Sequence, residues 1–172
     1  MSQPFHSTEE NREELPLSKA AEYLLDECRM VLPGIQALFG FQLIAVFNSA
    51  FDQKLSSAEQ GFHLFAIALV AIAIAIIMTP AALHRQKGPY EVNDTFVLVS
   101  SRLLLWSMVP LELGISMDFY LVARIITARR LASLLGVALF ACFSGLWFVL
   151  PRARGLQNII SGRRNKPKSA FI

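Results

Sequence analysis

Residues 62–83 read FHLFAIALVAIAIAIIMTPAAL, hold no formally charged side chain, and run from 64 to 78 through fifteen consecutive apolar residues. At about 1.5 Å of rise per residue, a helix of this length crosses a hydrocarbon layer of roughly 30 Å. The stretch predicts a transmembrane helix, so the chain is one whose solvent is partly lipid. Composition agrees: of 172 residues, 54% are hydrophobic and 17% charged. That is too apolar for an ordinary soluble domain and short enough for one membrane domain of a few helices.

Three further spans flank it. Residues 30–51, MVLPGIQALFGFQLIAVFNSAF, carry no charge, but Gln36, Gln42 and Asn48 make them the most polar of the set. At 100° per residue these three spread around the helix, so a single polar pore face is not expected, and each is expected to meet another helix. Residues 96–123 are longer than a bilayer needs and contain Pro110, the natural place for a kink, as well as Arg102, Glu112 and Asp118. Residues 131–150, LASLLGVALFACFSGLWFVL, are uncharged, with Trp147 and Phe148 where an aromatic belt would lie. Ala132 with Gly136, and Ala141 with Gly145, form two small-xxx-small pairs that permit close helix contact. Before the first span, Ala20, Ala21, Leu24, Leu25, Cys28 and Val31 recur at helical spacing behind Ser18, a candidate cap. This is a short amphipathic helix, either interfacial or packed under the bundle and continuous with the next span. The fold class is therefore all-α: a polytopic membrane protein of four transmembrane helices preceded by a short amphipathic helix.

The formal net charge of +3 hides an asymmetry. Residues 1–30 hold seven acids and three bases, and residues 151–172 hold six bases and no acid. Residues 1–15 read as a disordered acidic tail, 16–150 as the membrane domain and 151–172 as a basic cytoplasmic tail drawn to anionic lipid. The acidic start lacks the basic region of a cleaved export signal. With four spans, eleven Lys and Arg flank the side that holds both termini. Lys54, Arg124, Arg129 and Arg130 lie on the other. The bias puts both termini in the cytoplasm, with the three outer arginines as a counter-signal.

Chemistry-bearing positions are few. Glu112 falls near the middle of the third span, where an ionised carboxylate costs several kcal/mol unless it is paired or hydrated. It is a candidate proton or cation site with Gln36, Gln42 or Ser144 as partners from other helices, or else a carboxyl group that ties helices together. Asp118 and Arg124, six residues apart, are too offset to pair along one helix and read as solvated near the outer interface. His63 reads as a polar end group. His84, Arg85, Arg102, Arg152 and Arg154 are expected to anchor at lipid headgroups. Cys28 and Cys142 suggest neither a disulfide framework nor a metal site. No phosphate loop, Ser-His-Asp order, HExxH or CxxC occurs, so no enzyme, cofactor or metal is expected, and no nucleic-acid motif is present.

Four stretches carry a resemblance: DECRMVLPGIQALFGFQL at 26–43, TPAALHR at 79–85, the Ser101-Arg102 pair, and GLWFVLP at 145–151. Over residues 18–151 the chain resembles a family of small bacterial membrane proteins known only as a domain of unknown function, some of whose members carry a sodium/proton antiporter label. The resemblance implies four helices in a bacterial inner membrane and no established activity. Gln36, His84, Arg85 and Arg102 lie in or beside the matching stretches, whereas Glu112 and Asp118 do not. The expected role is structural, accessory or regulatory, with an oligomer or membrane-protein partner. The alternative is a proton- or cation-coupled transporter or channel subunit built on Glu112.

Overall fold

The computed structural model describes residues 16–87 and 94–152, and of Ala50 and Lys87 only the backbone. The acidic tail, most of the basic tail and Arg154 lie outside the described residues. Within them the chain is helical, with no strand. Helix α1 spans Leu17–Ala45, α2 Ser49–Lys54, α3 Ser57–Lys87, α4 Asp94–Ile126 and α5 Arg129–Ser144, which runs on through a π-helical turn (Gly145–Val149) and a 3-10 turn (Leu150–Arg152). Four helices are long and apolar enough to cross a membrane: α1, α3, α4, and α5 with its extension. The fold is that of an all-α, membrane-embedded protein.

The amphipathic leader and the first span are one unbroken helix. The physical reason is a shared stripe: Ala21, Cys28, Ile35 and Gln42, seven residues apart, are the buried positions of α1 and stay on one face from leader to span. Ser18 is not the cap; Pro16 occupies that place, and its carbonyl accepts from the backbone N–H of Lys19 and Ala20. The helix stops at Ala45, short of the expected 51, and the chain turns at 46–48 into α2, whose following residue Leu55 is buried. Helix α3 then starts earlier than the expected 62. Ser56 and Glu59 form a capping box: the Ser56 N–H and Oγ–H donate to Glu59 Oε2 at 2.9 and 2.8 Å, and the Glu59 N–H donates back to Ser56 Oγ at 3.4 Å. Helix α4 passes through Pro110 uninterrupted.

The helices run antiparallel in succession. The α3–α4 pairing is the most extensive, α5 packs on α4, and α1 lies against both α3 and α4. Gly114 sets the α3–α4 distance, since a Cβ there would stand 2.8 Å from Val70 Cγ2 and 3.1 Å from the Ala66 carbonyl oxygen. Of the two small-xxx-small pairs, Ala132 and Gly136 are buried, with Gly136 against Tyr120 of α4, whereas Ala141 is exposed and Gly145 meets nothing. The core joins Cys28 and Ile35 to Val70, Ala73, Ile77 and Leu111. Trp147, expected at the membrane surface, packs against this core and against Phe143, ring centres 4.8 Å apart. Phe41, Ile44, Leu64, Trp106, Leu134 and Val137 face outward, as lipid permits and water would not.

Candidate functional site

The site grows from the C-terminal end of α1. The last four carbonyls of a helix have no partner within it, and Gln42 contributes one of them. His63, in the second turn of α3, meets that carbonyl with Nε2 at 3.0 Å, and its Nδ1 lies 2.8 Å from Oδ1 of Asp118 on α4. The side-chain amide of Gln42 donates from Nε2 to Oδ2 of the same carboxyl group. Three helices thus converge on one carboxyl group. Gln42 and His63 are 4% and 7% exposed, and the ring of Phe51 from α2 stands edge-on to His63 at 5.3 Å. Beside the three residues lies a cavity of about 260 Å³, walled by Leu38, Phe41, Leu55 and Leu121 among others.

Hydrogen-bond valence fixes how many protons this arrangement holds. The Gln42 carbonyl only accepts, so His63 Nε2 carries a proton. A second proton must lie between Nδ1 and Oδ1, because without it two lone pairs would face each other at 2.8 Å. It sits either on the ring, giving imidazolium and carboxylate, or on the carboxyl group, giving two neutral partners. Both descriptions leave the pair with zero net charge, the only charge state a low-dielectric interior accepts cheaply. One valence remains open: Gln42 Oε1 is buried without a hydrogen-bond partner.

The charged groups nearest this end are arranged outside the pair. Arg124 lies 3.6 Å from Glu59, an ion-pair distance too long for a hydrogen bond, and Asp52 and Lys54 of α2 are exposed. Arg124, counted among the outer arginines, is therefore partly neutralised by Glu59.

The structure separates residues that the sequence grouped together. Glu112 is 3% exposed and accepts from Ser144 Oγ at 3.1 Å, the partner expected from the fourth span, but its Oε2 has no hydrogen-bond partner. Gln42 goes to Asp118 instead, and Gln36 lies on the exposed side of α1 and joins neither carboxyl group. Asp118, expected to be solvated, is enclosed, with its side chain 17% exposed, and His63 is an inner partner, not an end group. The cause is separation along the chain: Arg124 is the charged neighbour of Asp118 on its own helix, while its partners lie 55 and 76 residues away in sequence. A usable signal was present: Gln42, His63 and Asp118 are polar residues near the ends of three otherwise apolar stretches that antiparallel packing brings to one level.

Arg85, Arg102 and Arg152 are exposed, and His84 is half-buried with its ring 5.9 Å from that of Phe96. Arg152 donates to the Phe148 carbonyl at 2.9 Å and so closes the end of α5. Among the described residues, no group of three His, Cys, Asp or Glu side chains is placed to hold a metal ion.

Residues 9–151 match the family of unknown function DUF6328, and the chain belongs to it. The match covers the stretch in which DECRMVLPGIQALFGFQL, TPAALHR and GLWFVLP carry the resemblance. No curated protein and no solved structure matches the chain.

Proposed function

From this family membership as premise, we propose that the protein is a non-enzymatic accessory or regulatory protein of a bacterial inner membrane, whose helix bundle is fastened at one end by the hydrogen-bonded cluster of Gln42, His63 and Asp118. The observation that carries the reading is the pair of contacts on His63, each ring nitrogen facing an acceptor. Removing either partner strands the other without its hydrogen bond between α3 and α4, so the bundle loosens at that end. With both termini in the cytoplasm, the pair lies near the outer face. A cysteine placed at Ser57 then reacts with an impermeant thiol reagent from outside.

The decisive variant is Asp118→Asn. Its amide N–H can donate to Nδ1 of a neutral His63, and its carbonyl can accept from Gln42, so every hydrogen bond survives without a transferable proton. In detergent, the thermal unfolding midpoint of Asp118→Asn should lie close to that of the native chain, and that of Asp118→Ala well below it. A midpoint for Asp118→Ala equal to the native one removes the proposal.

A second reading, a proton- or cation-coupled transporter or channel subunit, draws on one observation: α4 carries two enclosed carboxyl groups, Glu112 and Asp118. Proton or sodium flux in liposomes, abolished by Glu112→Gln, would favour it over the accessory role. Four helices leave little room for alternating access, so this reading requires an oligomer or a partner.

A further inference from the structure

At the end of the bundle opposite the His63–Asp118 pair, α1 and α3 enclose a cleft of about 180 Å³. Its walls divide by chemistry. Leu25, Leu32, Met78 and Ala81 form an apolar side, while Arg29 of α1 and His84 with Arg85 of α3 supply the polar one. Among the described residues no acidic side chain lines it; Asp26 holds one guanidinium nitrogen of Arg29 at 3.2 Å and leaves the other guanidinium N–H groups for an external anion. The Arg29 side chain is 80% exposed, so it reaches the mouth of the cleft without burying its charge.

We propose that this cleft binds one anionic glycerophospholipid, its phosphate held by Arg29, His84 and Arg85 and the start of an acyl chain laid on Leu32, Met78 and Ala81. Separate basic side chains could each reach the headgroup layer alone. Two features distinguish a site: donors from two different helices line one cavity, and an apolar wall continues directly below them. A free phosphate would use the first feature and leave the second without a function, so the occupant is a lipid.

The test uses the purified full-length protein in a non-ionic detergent. Phosphatidylglycerol is titrated in while the thermal unfolding midpoint is followed, and phosphatidylcholine and inorganic phosphate serve as comparison probes. The expected result is a saturable rise with phosphatidylglycerol alone. At about 1 kcal/mol per basic residue near a membrane surface, Arg29→Gln and Arg85→Gln should each weaken half-saturation by roughly fivefold. Arg102→Gln, which lies in a separate groove with Asp94 and Ser101, should leave it unchanged. Native mass spectrometry counts the retained phosphatidylglycerol independently of any change in basal stability and should show one molecule lost in both cleft variants. An equal rise with phosphatidylcholine, a full rise with inorganic phosphate, or equal weakening by Arg102→Gln would each overturn the proposal.

Discussion

Asp118 and Glu112 stand six residues apart on α4, and both carboxyl groups are enclosed, yet they are held in opposite ways. Asp118 turns toward α1 and α3, where both of its oxygens are engaged by groups that can share or supply protons. Glu112 turns toward α5, where one oxygen accepts from a serine hydroxyl and the other is buried without a hydrogen-bond partner among the described residues. In a bilayer interior the number of filled valences, not depth alone, decides whether a carboxyl group stabilises or strains its surroundings. Asp118 ties three helices together, while Glu112 is tolerated by two.

That contrast predicts a ranking of variants. Asp118→Ala should have the largest effect, because it strands His63 and Gln42 in the bundle, and breaking a buried pair from one side costs about 3–5 kcal/mol. Reversible unfolding in mixed micelles measures it, and a loss no larger than that of Glu112→Ala would erase the contrast. Gly114→Ala should come next, at about 1–3 kcal/mol, since its methyl group would overlap Val70 Cγ2 and press on the Ala66 carbonyl. It pushes α3 from α4 one turn from Asp118, so disulfide cross-linking between α3 and α4 should weaken while that between α4 and α5 persists. Ser144→Ala should cost about 1 kcal/mol, the value of one hydrogen bond between helices, in the same unfolding measurement. Glu112→Leu should lie within about 1 kcal/mol of the native chain, or above it, because it removes an unsatisfied oxygen together with the group that bore it. A marked loss of stability there would show that Glu112 has partners beyond Ser144.

Three of the four spans could be read from their charge-free runs, and the third from an apolar stretch interrupted by Arg102, Glu112 and Asp118, because lipid contact demands apolar side chains on every outward face. The union of the leader with the first span was accessible too, since Ala21, Cys28, Ile35 and Gln42 keep the same phase across Met30. Helix α2 and the early start of α3 are hidden by the polarity of residues 52–61, which resembles a loop, although Ser56 and Glu59 carry the capping-box spacing. At the site, Glu112 and Ser144 could be paired in advance from opposed mid-span positions. The Asp118 cluster shows in the sequence only as three polar residues near the ends of separate spans, because it draws on Gln42 twice: the side-chain amide donates to Asp118, and the backbone carbonyl, which no side-chain pattern reveals, faces His63.

The order in which the chain is synthesised gives the convergence of α1, α3 and α4 a temporal meaning. Helix α1 enters the bilayer with the amide of Gln42 and the carbonyls of its last turn lacking their final partners. The arrival of α3 satisfies the carbonyl of Gln42 through His63. The amide waits for Asp118, the last of the three to be made. Residues of α5 take no part in these contacts, so every member of the internal lock is made before α5 begins.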